Sequence, residues 1–130
     1  MIAVESLMST SVLSVRDNDT VRDAETAMYT AGIRHLPVED ARHHVIGIVS
    51  DRDLKAVGPR SKHKRVGEVM TRDVLTVRPE EPAAKAARLM LDNKLGSLPV
   101  VDSQSTLIGI ITETDLVRFA QQALDRGSDG

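Results

Sequence analysis

The sequence predicts an α+β fold made of two quasi-twofold β-α-β-β-α repeats packed through their sheets. Three observations carry that prediction. Residues 4–57 lie over 66–119 at a constant offset of 62 without a gap, and 17 of the 54 pairs are identical, among them Met8/Met70, Val15/Val77, Met28/Met90, Leu36/Leu98, Pro37/Pro99 and Asp53/Asp115. Internal repetition on this scale fixes the architecture before any single element is read. Within each copy the apolar spacing changes from short continuous runs to steps of three and four, the change from strand to helix. One octet, Gly47-Ile48-Val49-Ser50-Asp51-Arg52-Asp53-Leu54, returns as Gly109-Ile110-Ile111-Thr112-Glu113-Thr114-Asp115-Leu116.

Each copy opens with a short amphipathic turn ending in Met, Val4 to Met8 and Val66 to Met70. First strands are expected at Val12–Val15 and Val74–Val77. A helix follows, with Asp19 as its expected N-cap in the first copy and Pro82 at the first helical position in the second. Val21, Ala24, Met28 and Ala31 give the first helix its apolar stripe; Ala83, Ala86, Ala87, Met90 and Leu91 do so in the second. Gly32 suits a left-handed C-terminal stop. Second strands begin at Leu36-Pro37-Val38 and Leu98-Pro99-Val100, since proline disfavours helix before it and is tolerated at a strand start. Asp40–His44 and Asp102–Thr106 have hairpin-loop length and polarity. Val45–Ser50 and Leu107–Thr112 are third strands whose apolar character predicts burial on both faces. A closing helix follows each octet, longer in the second copy. The expected domain plan is a first repeat over 1–60, a basic linker over 61–65, a second repeat over 66–125 and a flexible tail over 126–130. Repeats of this size are marginal alone, so the two are expected to pack together, leaving a pair of clefts.

Composition narrows the function classes. There is no Trp, one Tyr and one Phe, which disfavours stacking platforms for nucleic acid. A net charge of −2 gives no overall basic field. Without cysteine, disulfides, thiol nucleophiles and thiolate metal sites are excluded. No apolar run reaches membrane-spanning length and no signal-peptide pattern opens the chain, so a soluble cytoplasmic protein is expected.

The repeated octet carries the chemistry. Ser50 and Thr112 stand at a strand-to-helix junction in N-cap position. A helix N-terminus attracts phosphate, and a carboxylate three residues on has the acceptors to hold two sugar hydroxyls. Hydroxyl, amides and carboxylate together suit a nucleotide. The same pattern is also a capping box, which needs no ligand, although that box favours Glu or Gln where both copies have Asp. The two roles are compatible.

The duplicated unit, its Leu-Pro-Val strands and its Gly-Ile-Val-Ser-x-x-Asp and Gly-Ile-Ile-Thr-x-x-Asp endings resemble the cystathionine-β-synthase-type (CBS) domain, and the tandem resembles a Bateman module across residues 4–120. The resemblance implies a regulatory module that binds adenosine derivatives (AMP, ADP or ATP, with S-adenosylmethionine or NAD as further members) in the clefts between repeats, and that pairs into a homodimer. It assigns Asp53 and Asp115 to the ribose hydroxyls and Ser50 and Thr112 to ribose or phosphate. Thr114 matches a second hydroxyl of the pattern; Arg52 departs from it and is positioned to reach a phosphate instead. Ser14 and Thr76 take first-strand positions that line the cleft, and Leu36 and Leu98 positions that border the adenine. Arg34-His35 occupies a site where related modules carry phosphate-reaching basic residues, whereas the second copy has Gly96-Ser97.

Other features imply less. Arg60, Lys62, Lys64 and Arg65 make the linker basic, which suits either a solvated loop or contact with polyphosphate or nucleic acid. His43-His44 lacks companions for a metal site. No histidine is placed to activate Ser50, and no Walker or dinucleotide glycine motif is present, so no enzyme is expected. The principal reading is a nucleotide-sensing module signalling through a dimer or an effector protein. Its rivals are a ligand-free dimerisation scaffold and a nucleic-acid-associated regulator using the basic loop.

Overall fold

A computed structural model describes residues 1–128. Each repeat contributes a helical turn, a parallel strand contact, a helix, a hairpin and a closing helix. In the first, α1 (Val4–Leu7) precedes β1 (Val15–Arg16), α2 (Val21–Ala31), β2 (His35–Glu39), β3 (Val45–Ser50) and α3 (Asp51–Ala56). A 3₁₀ turn at Pro59–Ser61 leads to α4 (Val66–Val69), α5 (Ala83–Asn93), β4 (Ser97–Val101), β5 (Leu107–Thr112) and α6 (Glu113–Ser128).

The two compact units do not follow the repeat boundaries. One comprises residues 13–74 with 104–107, and the other 1–12, 75–103 and 108–130. The opening segments have changed places. Val4 is fully buried in the core of the second unit beside Val77, Ala86, Met90, Leu98 and Ile111. Val66 occupies the corresponding place in the first unit with Val15, Val21, Leu36, Val49 and Leu54. Backbone bonds hold both: Ser9 pairs with Ile110 through two bonds of 2.9 Å, and Thr71 pairs with Ile48 at 2.9 and 3.0 Å. Glycine opens each octet because this segment presses on it. A Cβ on Gly47 would lie 2.6 Å from Met70 Sδ and 2.8 Å from the Thr71 carbonyl oxygen, and one on Gly109 would lie 2.8 Å from the Ser9 carbonyl oxygen.

In the first unit β1 runs parallel to β2, with Val15 opposite Val38, and β2 is antiparallel to β3, with His35 opposite Ser50. In the second, β4 and β5 form a hairpin and Val77 makes a single parallel bridge to Val100. The first strands are therefore shorter than expected, because residues before Val15 and Val77 do not enter the ladder. Burial in the third strands alternates: Gly47, Val49, Gly109 and Ile111 are buried and their neighbours half-buried, not covered on both faces as anticipated. Small sheets with helices on one face leave the other face less covered.

The helix ends also amend the expectations. The N-cap of α2 is Thr20, whose Oγ1 accepts from the Asp23 N–H while Asp23 returns a bond to the Thr20 N–H. Asp19 instead accepts from the Arg16 N–H at 2.8 Å, closing the preceding turn. Pro82 is the N-cap of α5, one residue before the helix. Gly32 ends α2 in the left-handed region as expected, and Lys94 takes the same conformation at the equivalent place with φ 55°. Arg126 to Ser128, expected in the tail, continue α6; the remaining two residues lie outside the described ones.

Candidate functional site

Strand alternation decides which residues face a ligand. Successive side chains point to opposite faces of a sheet. Val15, Leu36, Val38 and Val49 point into the core of the first unit. His35 and Ser50 therefore occupy the opposite face and are half-buried; Ser14, just before β1 and outside the ladder, is half-buried too. In the second unit Val77, Leu98, Val100 and Ile111 are core, which places Ser97 and Thr112 on the face away from it; Thr76 precedes the single bridge at Val77 and is half-buried.

Leu36 and Leu98 are each 0% exposed within those cores. Their side chains pack into those cores, and their backbone groups are what the strands hold beside the octets. Alternation likewise shows what the sequence reading passed over. Ser97 is the second repeat's equivalent of His35, is 4% exposed, and its Oγ has no hydrogen-bond partner among the described residues. A polar residue directly before a core leucine in an otherwise apolar strand was the signal. A buried unpaired hydroxyl costs about 1–3 kcal/mol, so Ser97→Ala is expected to raise unfolding free energy by about 1 kcal/mol in ligand-free protein. A urea titration checks this; a loss of stability would mean the hydroxyl has a partner in solution.

The carboxylates close capping boxes. The Ser50 N–H donates to Asp53 Oδ2 at 2.9 Å, and the Asp53 N–H donates to Ser50 Oγ at 3.1 Å. In the second unit the Thr112 N–H donates to Asp115 Oδ2 at 2.8 Å, and the Asp115 N–H to Thr112 Oγ1 at 3.2 Å. Here the threonine hydroxyl also donates to Asp115 Oδ2 at 3.0 Å, and Arg118 Nη1 lies 3.8 Å from Oδ1. The Thr20–Asp23 pair makes the same box elsewhere in the chain, and the Thr20 N–H holds the Asp23 carboxyl below its ordinary value. Aspartate at this position is thus no mark of a ligand by itself. What distinguishes the two octets is where they sit, at the end of a strand whose free face carries further polar groups.

The structure brings Arg34 and His35 to the same end of the sheet as Ser50. His35 is in register with Ser50, and the Asp51 N–H donates to the Arg34 carbonyl at 2.9 Å. The Glu113 N–H donates to the Gly96 carbonyl at 3.0 Å, the equivalent bond in the second unit. Arg34 itself is exposed and borders a cavity of about 460 Å³ with Asp51, Glu25 and Tyr29. Arg52 and Thr114 are exposed at the second position of their helices, and neither side chain is bonded to the neighbouring carboxylate among the described residues. No group of three or more His, Asp or Glu side chains that would suit a metal occurs among the described residues, and none of the described helices is long and apolar enough to cross a membrane.

Comparison with known proteins fits this geometry. The chain is 38% identical over 118 residues to inosine-5′-monophosphate dehydrogenase of Methanocaldococcus jannaschii, an alignment that takes in 88% of this chain and 23% of that protein. The chain spans about a quarter of the length of the first curated relatives it matches. CBSX2 from Arabidopsis thaliana, solved in complex with AMP, superposes with a TM-score of 0.86 at 34% identity, covering 95% of this chain and 98% of that one. The CBS domain pair of protein MJ0100, solved with 5′-methylthioadenosine and S-adenosyl-L-methionine, gives 0.86 at 28% identity, covering 94% and 98%. The family model for the CBS domain matches twice, over residues 4–59 and 66–122. The chain belongs to the CBS domain family, as a tandem pair.

Proposed function

We propose that this chain is a regulatory module that binds an adenosine nucleotide at the strand-to-helix ends marked by Ser50/Asp53 and Thr112/Asp115. The ligands solved with its relatives, AMP, 5′-methylthioadenosine and S-adenosyl-L-methionine, differ at the 5′ substituent and share the adenosine. The observation that carries the reading is that each octet carboxylate spends Oδ2 on its own helix and keeps Oδ1 outside the box, and a carboxylate oxygen is the acceptor a ribose hydroxyl requires. AMP, ADP and ATP are the preferred candidates, with S-adenosylmethionine and NAD tested beside them. Ser14, Thr76, His35 and Ser97 supply hydroxyl and imidazole contacts; Arg34, Arg52 and Thr114 serve the phosphate side. The module is regulatory: a ligand shifts its arrangement only by binding one state better than another, and an effector protein reads the shift.

A ligand at a hundredfold excess over its dissociation constant adds roughly 2.7 kcal/mol of stability, worth on the order of 3 °C or more per kcal/mol in a domain of this size. Thermal unfolding with AMP, ADP, ATP, S-adenosylmethionine and NADH is expected to show such a shift for at least one. No shift at millimolar ligand across the panel would sink the reading.

The same reading includes a homodimer. Tyr29 on α2 is 91% exposed, Leu91 on α5 80%, and Val117 and Leu124 on α6 66% and 72%. Single exposed apolar side chains are ordinary, but four on helices are better explained by burial against a second copy with closed symmetry. Light scattering at micromolar protein is expected to report twice the chain mass, and Tyr29→Glu with Leu91→Glu to halve it. A monomer throughout would reject this part.

A further inference from the structure

The segment expected to be a solvated basic linker is ordered against α2. The Val21 N–H donates to the Lys64 carbonyl at 2.8 Å and the Arg22 N–H to the Lys62 carbonyl at 3.1 Å. Arg65 Nη1 donates to the Asn18 carbonyl at 2.7 Å, and the Val66 N–H to the Asp19 carbonyl at 2.7 Å. Lys62 Nζ is salt-bridged to Glu25 at 2.6 Å. These bonds pin the segment along the first turn of the helix and leave a cavity of about 380 Å³ between them, lined by Thr20, Arg22, Pro59, Arg60, Lys62 and His63.

Its lining is cationic in a chain whose net charge is −2. Lys62 is neutralised by Glu25, but no acidic side chain pairs with Arg22, Arg60 or His63 among the described residues. Arg22 comes to the lining from α2 and Arg60 from the 3₁₀ turn that begins at Pro59. The helix terminus contributes little, because the first N–H groups of α2 are already spent on linker carbonyls and on Thr20. Recognition here falls to the side chains. Two guanidinium forks from different elements suit the oxygens of a phosphate chain. The volume exceeds what one phosphate fills, and no Phe, Tyr or Trp lines the cavity; the imidazole of His63 is the one ring among its lining residues. The linker's own hydrogen bonds fix the backbone that carries these side chains, so binding orders only the side chains themselves.

We propose that this groove between the inter-repeat segment and α2 binds a small polyphosphate anion of the pyrophosphate or triphosphate class. The site is separate from the octets, so it stands or falls apart from the nucleotide reading. The test is calorimetry of the full chain with sodium pyrophosphate and tripolyphosphate at low salt, with a single-stranded oligonucleotide as a third titrant. Saturable binding is expected, weakened about tenfold by Arg60→Gln, further by adding Arg22→Gln, and left within twofold by Arg42→Gln, which removes the same charge from an exposed loop outside the groove. Protein saturated with AMP is expected to bind pyrophosphate unchanged. Circular dichroism confirms that each variant is folded. The proposal is overturned if millimolar pyrophosphate and tripolyphosphate give no saturable binding, or if the double variant binds them as the parent does. It is overturned equally if AMP displaces pyrophosphate, or if only the oligonucleotide responds to the two arginine substitutions.

Discussion

Replacing Leu98 by alanine is expected to lower the unfolding free energy by about 2–5 kcal/mol, the range for removing a buried leucine from a packed core. The side chain is 0% exposed and lies among Val77, Val100, Met90 and Ile111. Leu36→Ala should behave alike in the first unit, where Val21, Met28 and Val49 surround it. Denaturant titration reads the effect as a fall in midpoint at unchanged slope. The result bears on function as well as stability. If these leucines bordered a ligand through their side chains, truncation would weaken nucleotide binding with little loss of stability. A stability loss below about 1 kcal/mol accompanied by a large affinity loss would contradict the core assignment made from alternation.

The second large effect concerns the two carboxylates. Asp115→Ala is expected to weaken the tightest AMP binding event by about ten- to a hundredfold, because a hydrogen bond to a charged group contributes roughly 1.5–3 kcal/mol. It should also cost roughly 0.5–2 kcal/mol of stability through loss of the helix cap. Asp53→Ala should show the capping loss with the smaller effect on the tight event. The second octet carries Thr112, Thr114 and a nearby Arg118, whereas the first sets Asp51 beside Arg52. One feature works against this ranking: the Thr112 hydroxyl donates to Asp115 Oδ2 and must turn away to serve a ligand, while no such bond ties the Ser50 hydroxyl proton. Titration of the two single variants by calorimetry decides it. Abolition of the tight event by Asp53→Ala with Asp115→Ala unaffected would reverse the assignment. Measuring stability and affinity in the same proteins separates the two duties of each carboxylate.

Much of this was legible in the residues. The gapless offset located both copies, and third-strand limits at Val45–Ser50 and Leu107–Thr112 match the structure residue for residue. Local chemistry writes such boundaries: a glycine under close contact at one side, a capping hydroxyl at the other. Where the reading of a helix start failed, the cause was a competing local bond. Thr20 displaced Asp19 as N-cap because Asp19 was claimed by the Arg16 turn. The linker's side chains at His63, Lys64 and Arg65 are exposed, as a string of cations suggests, while nothing in that string announces that its carbonyls will meet the first turn of α2.

The exchange of opening segments has a temporal consequence. Residues 13–74 contain nearly all of one unit in unbroken order, so that unit can close while the rest of the chain is still being made. Residues 1–12 emerge first and settle last. Ser9 must await Ile110, about a hundred residues behind it, which at cellular synthesis rates is a delay of roughly 5–20 s. Throughout that interval Val4, Leu7 and Met8 have no place in a core. Residues 1–12 thus act as the latch of the last unit to form, and substitutions in them should be felt in the yield of folded protein on synthesis before they are felt in the properties of the finished molecule.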